Sequence, residues 1–112
     1  MPPDDVVRLR HMIEAAETVQ RFLVGRQRGD LDTNEMLLFA LVRAIEVIGE
    51  AASKLSADTR SATPSVPWWA IVAMRNRLIH AYFDIDRDIL WKTVNEELPA
   101  LLRLLRTLVP AP

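Results

Sequence analysis

Met74-Arg75-Asn76-Arg77-Leu78-Ile79-His80-Ala81-Tyr82-Phe83 carries one of the chain's two histidines, its only tyrosine and two of its arginines. It follows Ser65-Val66-Pro67-Trp68-Trp69, the sharpest helix-start signal in the sequence. Proline suits the first helical position, where its missing N–H would be unpaired anyway, and Ser65 stands where a cap is wanted. At about 100° per residue, with Trp68 at zero, Ile71, Val72, Leu78, Ile79, Tyr82 and Phe83 fall within roughly 80° of it. This predicts one helix from about Pro67 to Phe83 with an apolar face turned to a core. Arg75 falls in the middle of that face. An unpaired buried guanidinium costs several kcal/mol (order of magnitude), so Arg75 is expected to meet a carboxylate or to open onto a cleft that takes an anion. Asn76 and His80, four apart, share one edge of such a helix, whereas Arg75 and His80 stand roughly 140° apart around it. Those two converge on one reacting atom only if Arg75 reaches round, the helix distorts, or a second chain contributes.

Outward from this stretch, the periodicity predicts three further helices. The first runs from about Asp4 or Asp5, which serve as acidic caps, to about Arg26, with a stripe of Val6, Leu9, Ile13, Ala16, Val19, Leu23 and Val24 interrupted by Gln20. His11 sits among polar neighbours and reads as exposed. Gly25 to Asp30 ends that helix. The second runs from about Thr33 to Leu55 behind Asp32-Thr33-Asn34-Glu35, close to a capping box, with a broad apolar face from Leu37 to Leu55. Its other stripe holds Phe39, Arg43, Glu46 and Glu50, flanked by Met36 and Val47. This stripe is either a solvated face of local ion pairs or a half-buried interface that supplies Arg75 with a carboxylate, Glu46 or Glu50. Gly49 inside the helix costs about 1 kcal/mol of helix propensity, which points to a close helix crossing. Ser56 to Val66 reads as a surface loop. The last helix starts near Asp86 and runs through a leucine-rich pattern that Pro99 should kink or restart. There are no strand-like alternations or repeats. The fold expected is all-α, a four- to five-helix up-and-down bundle forming a single domain over residues 1–112.

Composition narrows the function. Half of the 112 residues are hydrophobic and the net charge is -1, so contact with nucleic acid has to come from a local patch. Twelve arginines stand against two lysines, which suits phosphate or carboxylate recognition and equally reflects a GC-rich genome. With no cysteine, disulfides, thiolate metal sites and cysteine nucleophiles are excluded, and a cytoplasmic setting is expected. The N-terminus lacks a hydrophobic signal core, and no apolar run reaches membrane-spanning length, so no membrane partner is expected. The two histidines stand at unrelated spacing, no glycine-rich phosphate loop occurs and no serine neighbours His80; neither a metal nor a cofactor is expected.

The Arg, Asn, His, Tyr group that remains supports metal-independent RNA cleavage, in which the ribose 2′-OH attacks the adjacent phosphate. Histidine moves the proton, with a pKa near neutrality, and arginine neutralises the charge growing on the phosphoryl oxygens. A histidine at a helix edge also serves as a packing group, and the residues alone leave both readings open. The reaction wants an acid and a base, and a two-fold dimer would bring two copies of His80 to one cleft.

Arg75, four residues, His80, one residue and Tyr82 form a motif that resembles the one found in HepT-like HEPN proteins. The likeness extends to Arg43-Ala44-Ile45-Glu46-Val47-Ile48-Gly49-Glu50-Ala51-Ala52, Pro67-Trp68, Leu90-Trp91 and Leu98-Pro99, covering about residues 5 to 108 in order. The resemblance implies a HEPN-like helical bundle, a homodimer and a composite cleft lined by the motif from both chains. It implies the toxin half of a type VII-like toxin–antitoxin pair, an endoribonuclease whose partner is a small nucleotidyltransferase-fold (MNT) antitoxin. By that analogy Arg75 and His80 are catalytic, Asn76 supports the site, and Tyr82 supports it and accepts AMP from the antitoxin. Two other readings stand beside this one. One is a non-catalytic HEPN dimer that binds nucleotide or serves the nucleotidyltransferase; the other is a structural helical adaptor with Arg75 satisfied internally.

Overall fold

Leu9, Met12, Ala16 and Val19 recur at helical intervals and lie buried along one face of α1 (Pro3–Leu23). That face is rotated slightly from the expected stripe: Met12 is inside, Ile13 is half-buried, and Gln20 and Val24 are exposed. The computed structural model of the chain describes residues 1–81 and 84–110, and for Ile79, His80 and Ala81 it describes the backbone. After α1 come α2 (Asp30–Thr33), α3 (Glu35–Ser53), α4 (Ala57–Ala62), α5 (Trp68–Leu78), β1 (Ile79–Ala81) and β2 (Asp84–Ile85). The chain continues through α6 (Arg87–Lys92), a π-helical turn (Thr93–Glu97) and α7 (Leu98–Arg106). The all-α bundle is therefore present, with a small antiparallel hairpin added. No helix among the described residues is long and apolar enough to cross a membrane.

The core is one cluster fed by α1, α3, α5, α6 and α7. α3 is central, packing on α1 along one side and on α5 along the other, while α7 packs against α1 and faces α5 across a groove lined by Ile71, Met74, Leu98 and Leu101. This follows from its sequence, in which Leu37, Leu41, Ala44, Ile45, Ile48, Ala51 and Ala52 cover a broad arc of the helix and are all buried.

Three local departures from the sequence reading matter for the site. Asn34, not Asp32 or Thr33, caps α3, its side-chain oxygen accepting from Leu37 N–H at 3.0 Å. The expected loop after α3 contains α4, capped by Ser56, whose hydroxyl accepts from Thr59 N–H at 3.2 Å. The expected helix over Pro67–Phe83 stops at Leu78, and the backbone passes directly into β1. Ile79 and Ile85 are β-branched, which favours an extended backbone over a further helical turn, and the two residues pair across the hairpin. Asp86 then caps α6 by accepting from Ile89 N–H at 3.0 Å.

Pro99 restarts the final helix as expected. It lacks an N–H, and in a regular helix its ring would press on the carbonyl four residues back. The wider π turn of Thr93–Glu97 immediately before Leu98-Pro99 accommodates that loss.

Candidate functional site

The start of α5 is held from below. Pro67, rather than Ser65, occupies the cap position, its carbonyl accepting from Ala70 N–H at 3.0 Å and Ile71 N–H at 3.1 Å. Trp68 is buried and its indole N–H donates to Thr63 Oγ1 at 2.9 Å. Thr63 in turn donates to the Thr59 carbonyl at 2.8 Å, which ties α5 to α4. Ile71, Met74 and Leu78 bury the core face of α5.

Arg75 lies in the last turn of α5, half-buried, with its aliphatic stem lying against Gly49 of α3. A β-carbon built at Gly49 would stand 3.3 Å from Arg75 Cβ and 3.5 Å from its Cδ. The glycine therefore marks a close crossing, as its cost in helix propensity suggested. Arg75 and Arg77 also place positive charge at the C-terminal end of the helix, where the dipole favours it.

Of the two readings of the α3 stripe, the local ion pairs are present, and the possible carboxylate partners of Arg75 are engaged there. Glu46 pairs with Arg43 at 3.4 Å, and Glu50 pairs with Lys54 at 3.2 Å. These are neighbours three and four residues apart on α3 itself, which is the local pairing that helix spacing favours. Among the described residues Arg75 forms no ion pair with any carboxylate. The burial of Arg75 is thus carried by its stem against Gly49, which leaves the guanidinium available to an anion.

Asn76 is exposed beside Arg75, and the next residue, Arg77, reaches Glu97 of the π turn at 3.8 Å. His80 lies on β1, two residues past the end of α5, so the 140° separation expected on a continuous helix does not apply. The hairpin turns this segment back, with Ile79 opposite Ile85, Ala81 opposite Asp84 and a bulge between. The His80 side chain and all of Tyr82 lie outside the described residues. A signal for this hairpin was present in the β-branched and aromatic run around His80, although the helical spacing of the same residues outweighed it.

Sequence reasoning also missed the role of Asp5. Read as a cap for α1, it instead turns inward and is 2% exposed. It accepts from Ser56 Oγ at 2.6 Å, Ser56 N–H at 3.2 Å and Thr59 Oγ1 at 2.5 Å, and Arg8 stands 3.6 Å away. The hydrogen bonds from Ser56 and Thr59, helped by the Arg8 charge, hold its carboxyl below the usual aspartate range. His11 is exposed as expected, at the groove between α1 and α3. Among the described residues no group of three or more histidine, aspartate or glutamate side chains gathers as a metal site would require.

The described chain is thus an all-α bundle with Arg75-Asn76 at the end of a short helix and His80 on the short strand that follows. The family model described as "Ribonuclease HepT-like" matches residues 12–108, and the chain belongs to that family. "Putative RNase MJ1380" of Methanocaldococcus jannaschii is 40% identical over 83% of this chain and 85% of its own length. "Probable ribonuclease HepT" of Thermococcus cleftensis is 39% identical over 83% of this chain and 84% of its own. "Putative RNase TTE0752" of Caldanaerobacter subterraneus subsp. tengcongensis is 37% identical over 83% of each. No solved structure matches the chain.

Proposed function

We propose that this member of the HepT-like ribonuclease family is a metal-independent endoribonuclease that acts as a homodimer, with a composite cleft formed by Arg75, Asn76 and His80 of both chains. The observation that carries the reading is the state of Arg75, half-buried across Gly49 and without a carboxylate partner among the described residues, one turn before the His80 segment. That is how a guanidinium is held when its partner is an anion from outside the chain.

In this reading neutral His80 of one chain takes the proton from a ribose 2′-OH. The 2′-oxygen bonds to phosphorus, the P–O5′ bond breaks, and the protonated His80 of the other chain gives a proton to the departing 5′-oxygen. A 2′,3′-cyclic phosphate and a 5′-hydroxyl result. Arg75 neutralises the extra charge on the non-bridging oxygens at the pentacoordinate stage.

The same reading makes the chain a toxin neutralised by a small nucleotidyltransferase antitoxin. Tyr82 is the acceptor: its phenolic oxygen loses its proton and attacks the α-phosphorus of ATP, AMP is transferred and pyrophosphate leaves. A bulky anionic adduct two residues from His80 would repel the RNA phosphate. Cleavage of RNA by the unmodified protein in EDTA, with His80→Ala prepared in parallel and both intact masses measured, tests the proposal. Cleavage by the wild type alone supports it. Equal cleavage by both, or by neither when no adduct is present and a range of RNAs has been tried, overturns it.

A further inference from the structure

The two tryptophans that open α5 have opposite surroundings. Trp68 is buried, with its indole N–H bonded to Thr63, and anchors the helix. Trp69 is 79% exposed. At about 100° per residue, Asn76 lies within about 20° of Trp69 and two turns further on, with Ala73 in the turn between. Arg75 and Arg77 fall about 120° and about 80° to either side of Trp69. This outer face is turned away from Ile71, Met74 and Leu78, which α5 buries. It is a shelf with an indole at one end, exposed Asn76 at the other and half-buried Ala73 between them.

We propose that Trp69 is a base-stacking subsite for single-stranded RNA and holds a nucleotide next to the scissile phosphate. This rests on the ribonuclease reading proposed above and adds to it a binding residue outside the Arg75–Tyr82 motif. Three observations carry it. The first is the charge of α5, which has two arginines in its last turn and no acidic residue, so nothing on the helix repels a phosphate backbone. The second is the open indole face. Side chains on a helix lean toward its N-terminus, so a long residue at position 73 would lie over Trp69, and the methyl of Ala73 leaves it uncovered. The third is spacing. Six residues separate Trp69 from Arg75, about 9 Å along the helix, so a stacked base and the phosphate at Arg75 belong to neighbouring nucleotides.

An indole stacks on any base, so the subsite selects unpaired RNA over duplex without selecting a sequence. Trp69 does not touch the reacting atoms. It holds the substrate equally before and during the reaction, so its loss falls on KM and not on kcat.

Cleavage kinetics test this, together with binding of a single-stranded oligonucleotide whose 2′-oxygens are methylated and which therefore does not react by the route above. Trp69→Ala and Trp69→Leu are expected to raise KM about tenfold, and Trp69→Phe, which keeps a ring, to raise it much less. Ala73→Leu, which covers the indole and leaves it in place, is expected to raise KM in the same direction. The methylated oligonucleotide is expected to quench the tryptophan fluorescence of the wild type and to quench Trp69→Phe far less, although Trp68 and Trp91 remain. Among RNAs lacking one base each, one position beside the cleavage site is expected to weaken the wild type and to leave Trp69→Ala no weaker than before. Wild-type KM in Trp69→Ala, Trp69→Leu and Ala73→Leu overturns the subsite, as does a Trp69→Ala defect that is the same at every abasic position. A Trp69→Ala protein that changes its oligomeric state in light scattering also overturns it and assigns the residue to a contact between copies. In each of these cases cleavage by the wild type leaves the ribonuclease reading standing. A wild type that binds and is quenched at Trp69 without cleaving RNA overturns the ribonuclease reading alone, and one that does neither overturns both.

Discussion

Gly49 of α3 and Arg75 of α5 touch so closely that a single added carbon on the first would sit 3.3 Å from Cβ of the second. The glycine costs α3 helix propensity and, in return, lets α5 approach until the arginine stem lies flat on its backbone. Because the crowded atom is a Cβ, fixed to the backbone, the helix itself has to move to make room. Gly49→Ala is therefore expected to change stability by less than about 1 kcal/mol, the gain in propensity offsetting the displacement, while lowering RNA cleavage. Gly49→Leu is expected to cost about 1–3 kcal/mol through overpacking. Urea denaturation and cleavage assays on the two variants check this; a Gly49→Leu protein as stable and active as wild type would remove the crossing from the account.

Arg75→Ala is expected to fold and to lose cleavage by about 100-fold or more, the scale on which one positioned charge stabilises a transition state. Arg75→Lys is expected to recover only part of that, because an ammonium is a point charge without the planar fork that reaches two phosphoryl oxygens. Single-turnover cleavage with thermal melts alongside separates lost chemistry from lost fold.

The anchor of α5 gives a prediction about stability alone. Thr63→Val removes the acceptor of the buried Trp68 indole N–H and is expected to destabilise by about 1–3 kcal/mol, the range for an orphaned buried donor. Thr63→Ser, which keeps the hydroxyl, is expected to retain most of the stability. A Thr63→Val protein as stable as wild type would show that the Trp68–Thr63 hydrogen bond contributes nothing to the anchor.

Asp5 makes part of the stability depend on acid. Its carboxyl titrates lower in the folded chain than in the unfolded one, so its contribution is complete above the unfolded value of about 3.9 and is lost as the pH falls toward the folded one. Asp5→Asn is expected to be less stable than wild type at pH 7, with the difference shrinking as the pH drops below about 4. Denaturation midpoints across pH 3 to 7 for both proteins measure it; a gap that stays constant with pH would show that the carboxylate charge plays no part.

The sequence by itself determined the helical character of this protein, the inner face of α3, the close crossing at Gly49 and the restart at Pro99. Each is a local property: spacing of apolar residues, a residue without a side chain, a residue without an N–H. Arg75, Asn76, His80 and Tyr82 were singled out as residue types at fixed spacing, and their roles belong to the proposed function; Tyr82 and the His80 side chain lie outside the described residues. Tertiary structure decided the rest. The end of α5 at Leu78 could not be read from periodicity, because Ile79 and Leu78 fit a helical face and the hairpin depends on pairing with Ile85. The stripe with Glu46 and Glu50 read equally as local ion pairs or as a source of a carboxylate for Arg75; nearby cations hold both, and which carboxylate an arginine meets is settled by distances across elements. Asp5 looked like a cap for its own helix and became an acceptor for Ser56 and Thr59, about fifty residues on, because the turn after α3 brings those donors to it. Spacing along the chain specifies what a residue can do; only the approach of distant segments decides which partner it does it with.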